Sequence, residues 1–159
     1  MIVNSLRLGQ LEIPDEKVVR TVKPILGFEH LTRYCLVDVE ETKPFLWFQS
    51  VDDPAVAFLV INPRVFFPRY RIEVNSNEIA ELEVDRVESV ETYVIVTVPE
   101  DPSEISANLQ GPVIINTENN RAKQLILVNS EYCIAHRILD TLPKQAKEAE
   151  TEIPELAGV

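Results

Sequence analysis

Two apolar runs joined by an acidic proline turn constrain this chain more than any other feature. Residues 45–48 are apolar throughout and hold the only tryptophan, and residues 55–61 are apolar throughout as well. Between them, Asp52-Asp53-Pro54 reads as a turn, because an Asp side chain accepts from the backbone just beyond it and Pro presets φ. Asn62-Pro63 ends the second run, since Pro brings no N–H to a strand ladder. The sequence therefore predicts a hairpin here. The segment that follows, residues 64–70, sets three aromatic rings (Phe66, Phe67, Tyr70) beside Arg64 and Arg69. A connection carries that much apolar surface when it folds back on the core or meets a partner.

Strand signals dominate the rest. Short β-branched or alternating stretches at 2–8, 11–13, 17–22, 34–37, 70–74, 93–98, 105–109, 113–117 and 124–128 are separated by turn residues such as Glu100-Asp101-Pro102 and Gly111-Pro112. Helix signals are confined to a single turn at 27–33, to 75–82 with Asn75 as cap and Glu78 completing a capping box, and to 131–139 behind Ser130. Without long helices to cross over parallel strands, the sheet is expected to be mostly antiparallel. The expected fold is all-β: a small antiparallel β-barrel-like single domain over residues 1–142 with a short C-terminal helix. Residues 143–159 are charged and Ala/Glu-rich, and read as a tail. A faint echo between the Asp52-Asp53-Pro54 and Glu100-Asp101-Pro102 turns suggests equivalent hairpins on opposite sides of the barrel.

The ordered set FLWFQSVDDP, AFLVINP and FFP, with Gly27-Phe28-Glu29, VIVTVPEDP at 94–102, Asn108-Leu109, PVIIN at 112–116 and Lys123-Gln124, resembles the FliW family of bacterial flagellar assembly factors. The resemblance spans roughly residues 1–138. It departs at Pro24-Ile25-Leu26, at Gln110-Gly111 and at Ala135-His136-Arg137. The resemblance implies a compact barrel. It also implies a protein antagonist of the RNA-binding translational regulator CsrA that binds flagellin as well. An export chaperone that holds flagellin without touching a regulator is the alternative.

Charge bears on that expectation. Fifteen basic residues against 26 acidic ones give a formal net charge of −11, which repels nucleic acid and attracts basic partners. Between Ile72 and Glu91 stand seven acids and one base, Arg86. The apolar runs fall short of the roughly eighteen residues a membrane span needs, so a cytoplasmic protein is expected. Cys35 and Cys133 read as free, buried thiols.

Catalysis finds little support. His30 and His136 are the only histidines, their spacing to Cys35 and Cys133 matches no metal framework, and four scattered glycines make no phosphate loop. No catalytic residue, metal or cofactor is expected. The acid pairs sit in Pro turns, where acids are common for turn reasons. The residues expected to meet protein partners are Asp52, Asp53, Phe66, Phe67, Glu81, Glu83, Asp85, Glu88, Glu100, Asp101, Asn108 and Gln110.

Overall fold

The apolar runs become strands. In the computed structural model, which describes residues 1–73, 76–128 and 131–141, β1 (Ile2–Ser5) and β2 (Gly9–Glu12) form a separate antiparallel hairpin. Its return passes through Gly9 at φ +81°, a left-handed conformation that favours glycine. There follow β3 (Val19–Lys23), β4 (Arg33–Val37), β5 (Leu46–Ser50), β6 (Ala57–Ile61), the short helix α1 (Ser76–Ile79) and β7 (Val90–Thr97). The chain continues through β8 (Ser106–Ala107), β9 (Val113–Asn116), β10 (Arg121–Gln124), β11 (His136–Arg137) and α2 (Ile138–Thr141).

Seven strands close on themselves in the order β7-β6-β5-β4-β3-β10-β9 and back to β7. Closure depends on the length of β7. Its first half, from Val90 to Tyr93, pairs with β9; Val94 and Ile95 pair with β6 across its other edge; Val96 and Thr97 pair with β8. Among the described residues every pairing is antiparallel except β3 with β10, which run parallel. No crossover helix is needed for that pair, because the intervening strands of the barrel carry the chain between them.

The sheet is covered on both faces. Along β5 and β6, Trp47, Leu59 and Ile61 join one apolar cluster with Phe66, Tyr70, Leu82, Ile105 and Leu109, while Phe48 and Val60 join another with Tyr34, Val113 and Ile115. That is why these runs are apolar at successive positions: neither side faces water. Full burial of one such side chain stabilises by about 1.5–3 kcal/mol.

Several expectations are corrected. Among the described residues, 70–73 form no strand. Tyr70 is buried and its hydroxyl donates to the Leu109 carbonyl at 2.6 Å, so the alternation there marks a cover loop docked on the sheet. The helix expected at 131–139 is displaced to α2. The Leu109 N–H donates to the Cys133 carbonyl at 3.1 Å and β11 pairs with β8, so an unfilled strand edge outcompetes local helix propensity. Cys133 is exposed, not buried; Cys35 is buried. The two Asp-Pro hairpins lie side by side through β6–β7 pairing, not on opposite sides. The expected caps Asn75 and Ser130 and the tail at 143–159 lie outside the described residues.

Candidate docking surface

Because consecutive barrel strands from β3 to β7 alternate in direction, their connections sort to two ends. The β3–β4, β5–β6 and β7–β8 connections share one end. The β4–β5 and β6–β7 connections and the β9–β10 turn share the other. The expected contact residues are thereby divided between the two ends, with Asn108 and Gln110 midway, where β7 passes from β8 to β9.

At the first end the acids build turns. Asp52 is gripped by Arg33 through both Nε (3.0 Å) and Nη2, and that bond holds its carboxyl below the usual carboxylate range. Asp53 Oδ1 accepts from the Ala55 N–H at 3.0 Å, and Ser50 Oγ accepts from the N–H groups of Asp52 (3.2 Å) and Asp53 (3.0 Å). Beneath them the fully buried Gln49 donates to the carbonyls of Ser50 (3.0 Å), Asp53 (3.4 Å) and Val56 (3.2 Å). Asp101 caps the short turn Pro102–Glu104, accepting from the Ser103 hydroxyl at 2.7 Å and N–H at 3.0 Å, which keeps its carboxyl low. Glu100 is exposed beside it. Asn108 Oδ1 accepts from the N–H groups of Gln110 (3.1 Å) and Gly111 (2.9 Å), and Gln110 Nε2 donates to the Leu127 carbonyl at 3.4 Å. A side chain on Gly111 would stand 2.9 Å from Asn108 Nδ2, which accounts for a glycine there.

At the second end the aromatic loop folds inward. Phe66 is fully buried, while Phe67 is half-buried and meets Tyr132 and His136 edge to face at 5.7 and 5.4 Å. Burial pushes the His136 imidazole below its ordinary pKa, with Asp140 acting weakly the other way.

The acid-rich connection is less bare than its sequence. Glu81 faces Lys123 (3.4 Å) and Lys23 (3.5 Å), Glu83 faces Arg121 (3.5 Å), and Arg86 Nε donates to Glu118 at 2.8 Å. Bases from β3 and β10 thus meet the two central acids. Asp85 and Glu88 are exposed, with no ion partner among the described residues. Behind the belt, Asn116 is fully buried. It donates to the carbonyls of Leu82 (2.9 Å) and Glu83 (3.3 Å) and accepts from the Ser89 hydroxyl (3.0 Å) and the Glu118 N–H (3.1 Å).

Sequence reasoning missed Lys23, Arg121 and Lys123 as partners of the belt. Their position depends on the parallel β3–β10 register, for which no local signal exists. It also missed Tyr132, whose hydroxyl accepts from the Arg71 N–H at 2.9 Å. Among the described residues no three His, Cys, Asp or Glu side chains stand together as a metal site. An open basin of about 550 Å³ between β3 and the β9–β10 turn is lined by both signs, Arg20 and Arg121 facing Glu16 and Glu118. Among the described residues no helix is long and apolar enough to cross a membrane.

A closed seven-stranded barrel, covered on one face by an aromatic loop and fringed by an acid-rich connection, defines a small acidic β-barrel protein. The sequence model of the FliW protein family matches residues 2–138, and the chain belongs to that family. It is 43% identical over 143 residues to the flagellar assembly factor FliW of Caldanaerobacter subterraneus subsp. tengcongensis, covering 89% of this chain and 95% of that one. With the flagellar assembly factor FliW of Alkaliphilus metalliredigens it shares 35% identity over 159 residues, 99% and 98% of the two chains. A crystal structure of the flagellar assembly factor FliW superposes with a TM-score of 0.82 at 33% identity, covering 91% of this chain and 99% of that one.

Proposed function

We propose that this chain is a flagellar assembly factor that works by binding and transforms no substrate. It captures a CsrA-type RNA-binding regulator, binds flagellin, and acts in the cytoplasm, where both are made. Export of flagellin frees the protein, which then takes the regulator off the flagellin message.

The observation that carries the reading is membership of the FliW family along nearly the whole chain. Charge supports the regulator arm. An RNA-binding protein offers a basic surface, and a body of net charge −11 steers toward it at long range. Docked beside an RNA site, such a body raises the cost of bringing a phosphate backbone near, without covering the site itself. Asp85 and Glu88 are the acids best suited to this, being exposed and unpaired.

The test is size-exclusion chromatography of the chain mixed with a CsrA-type regulator. Co-elution that flagellin disrupts is the expected result. Independent elution with the regulator, alongside co-elution with flagellin, would replace this reading with the chaperone one; capture of neither would end both.

A further inference from the structure

The acid-rich protein carries one loop of opposite sign, and the proposed function leaves it unused. Arg64, Arg69 and Arg71 are all exposed within eight residues of the connection after β6. Elsewhere seven bases, Lys23, Arg33, Lys43, Arg86, Arg121, Lys123 and Arg137, stand within ion-pair distance of a carboxylate, and the other described bases, Arg7, Lys17 and Arg20, are scattered where these three arginines are clustered. Among the described residues no carboxylate reaches Arg64, Arg69 or Arg71, although the chain holds 26 acids.

The loop that presents them is held rigidly. Asn62 Oδ1 accepts from the Arg64 N–H at 3.0 Å, the Phe67 N–H donates to the Pro63 carbonyl at 2.8 Å, and the Tyr70 N–H to the Phe67 carbonyl at 2.9 Å. Phe66 and Tyr70 anchor it in the core, Tyr70 donates to Leu109, and the Arg71 N–H is tied to Tyr132. Arg64 Nε donates to the Tyr70 carbonyl at 3.4 Å, which orients the guanidinium. Apolar surface adjoins the charges: Pro68 is exposed, Phe67 and Tyr132 are half-buried, and Ile134, two residues beyond Tyr132, is 66% exposed. Arginine beside aromatic surface is the composition enriched at protein interfaces, and a fixed guanidinium loses little freedom on pairing with a carboxylate.

We propose that this loop, with Tyr132 and Ile134, is a docking surface for a protein segment that combines carboxylates with apolar side chains. Such an occupant is opposite in charge to the basic surface suited to Asp85 and Glu88. The molecule therefore offers two charge-sorted surfaces, able to hold chemically different partners. A nucleic acid is the weaker occupant, because it brings a charge with every phosphate against the field of the whole chain at net −11. A segment of mixed carboxylates and apolar side chains brings fewer charges, and apolar groups to meet Phe67, Tyr132 and Ile134. The inference rests on the protein-binding character of the proposed function and on neither of its named partners.

The test uses the full chain and a fluorescein-labelled peptide of alternating Leu and Glu, with its Leu/Gln counterpart and a single-stranded RNA as controls, read by anisotropy. The wild type is expected to bind the Glu peptide about tenfold more tightly than the Gln peptide, and the R64Q/R69Q/R71Q variant to lose that preference. Phenylglyoxal modification, mapped by mass spectrometry, should show Arg64, Arg69 and Arg71 protected by the Glu peptide while Arg20 stays reactive. Equal binding of the two peptides, an unchanged preference in the variant, or tighter binding of the RNA would each overturn the proposal. Because no regulator or flagellin enters the assay, its failure is separable from failure of the proposed function.

Discussion

Asn116 shows how much one side chain carries in a barrel of short strands. Fully buried, it satisfies two carbonyls at the end of the α1 segment, a serine hydroxyl and a backbone N–H. Replacing it with Ala takes this partner from the Glu83 carbonyl and the Glu118 N–H, while the Leu82 carbonyl keeps Asn119 and the Ser89 hydroxyl keeps the Arg86 carbonyl; a buried group left unpaired costs about 1–3 kcal/mol. N116A should lose roughly 2–4 kcal/mol in urea denaturation, an unusually large effect for a polar residue. The Tyr70 hydroxyl makes a single bond, to Leu109, so Y70F should lose about 1 kcal/mol by the same measurement. Asp52 links stability to acid. Its carboxyl lies below its ordinary value of 3.8 because Arg33 bonds it. That contribution is fully present above the unfolded value and disappears as pH falls through the folded one. Thermal melts from pH 6 down to about 3 should show a decline that D52N flattens in part. The side chains of Asp52 and Asp101 are legible as polar turn residues, whereas Asn108 falls inside the strand expected at 105–109. Their employment in holding the turns themselves is legible for the two acids, since Pro54 and Pro102 stand in the same turns, but not for Asn108, which turns the chain because β8 ends at Ala107.

At the scale of elements, the C-terminal segment is the instructive case. Residues 131–139 carry helix-compatible apolar spacing, yet β11 forms because β8 offers a strand edge that no other described segment fills. Local sequence cannot report a vacancy created elsewhere. His136 fastens this strand: its ring lies 5.9 Å from Phe66 and 5.4 Å from Phe67, and Nε2 meets the Thr141 hydroxyl at 2.7 Å. Burial lowers its pKa, so the folded state favours the neutral ring. The stability it contributes is present above the ordinary value of 6.5 and is lost as pH falls through the folded value. Hydrogen exchange should therefore show β11 amides losing protection between about pH 7 and 5, and H136F should abolish that dependence. The hairpin of β5 and β6, by contrast, was legible almost completely. Its apolar runs, turn and proline stop are all local, and only the burial of both faces awaited the closed barrel.

For the molecule as a whole, the seven-stranded closure was foreseeable as a barrel but its parallel β3–β10 seam was not. That seam brings Lys23, Arg121 and Lys123 under the acidic connection. The charge that the sequence presents as one belt is therefore graded: Glu81 and Glu83 are paired, Asp85 and Glu88 are open to solvent. If the belt steers a basic regulator, D85N/E88Q should weaken capture several-fold more at about 0.05 M salt than at 0.3 M, whereas E81Q/E83Q should have the smaller effect. Isothermal titration at the two salt concentrations reads both. The proposed function requires partner exchange. The most direct measurement follows a fluorescent RNA leader bound to a CsrA-type regulator while this protein, and then flagellin, is added. Release of the RNA by the protein, followed by rebinding when flagellin arrives, is the predicted course. RNA that stays bound at saturating protein, or release that flagellin leaves unaltered, would contradict it.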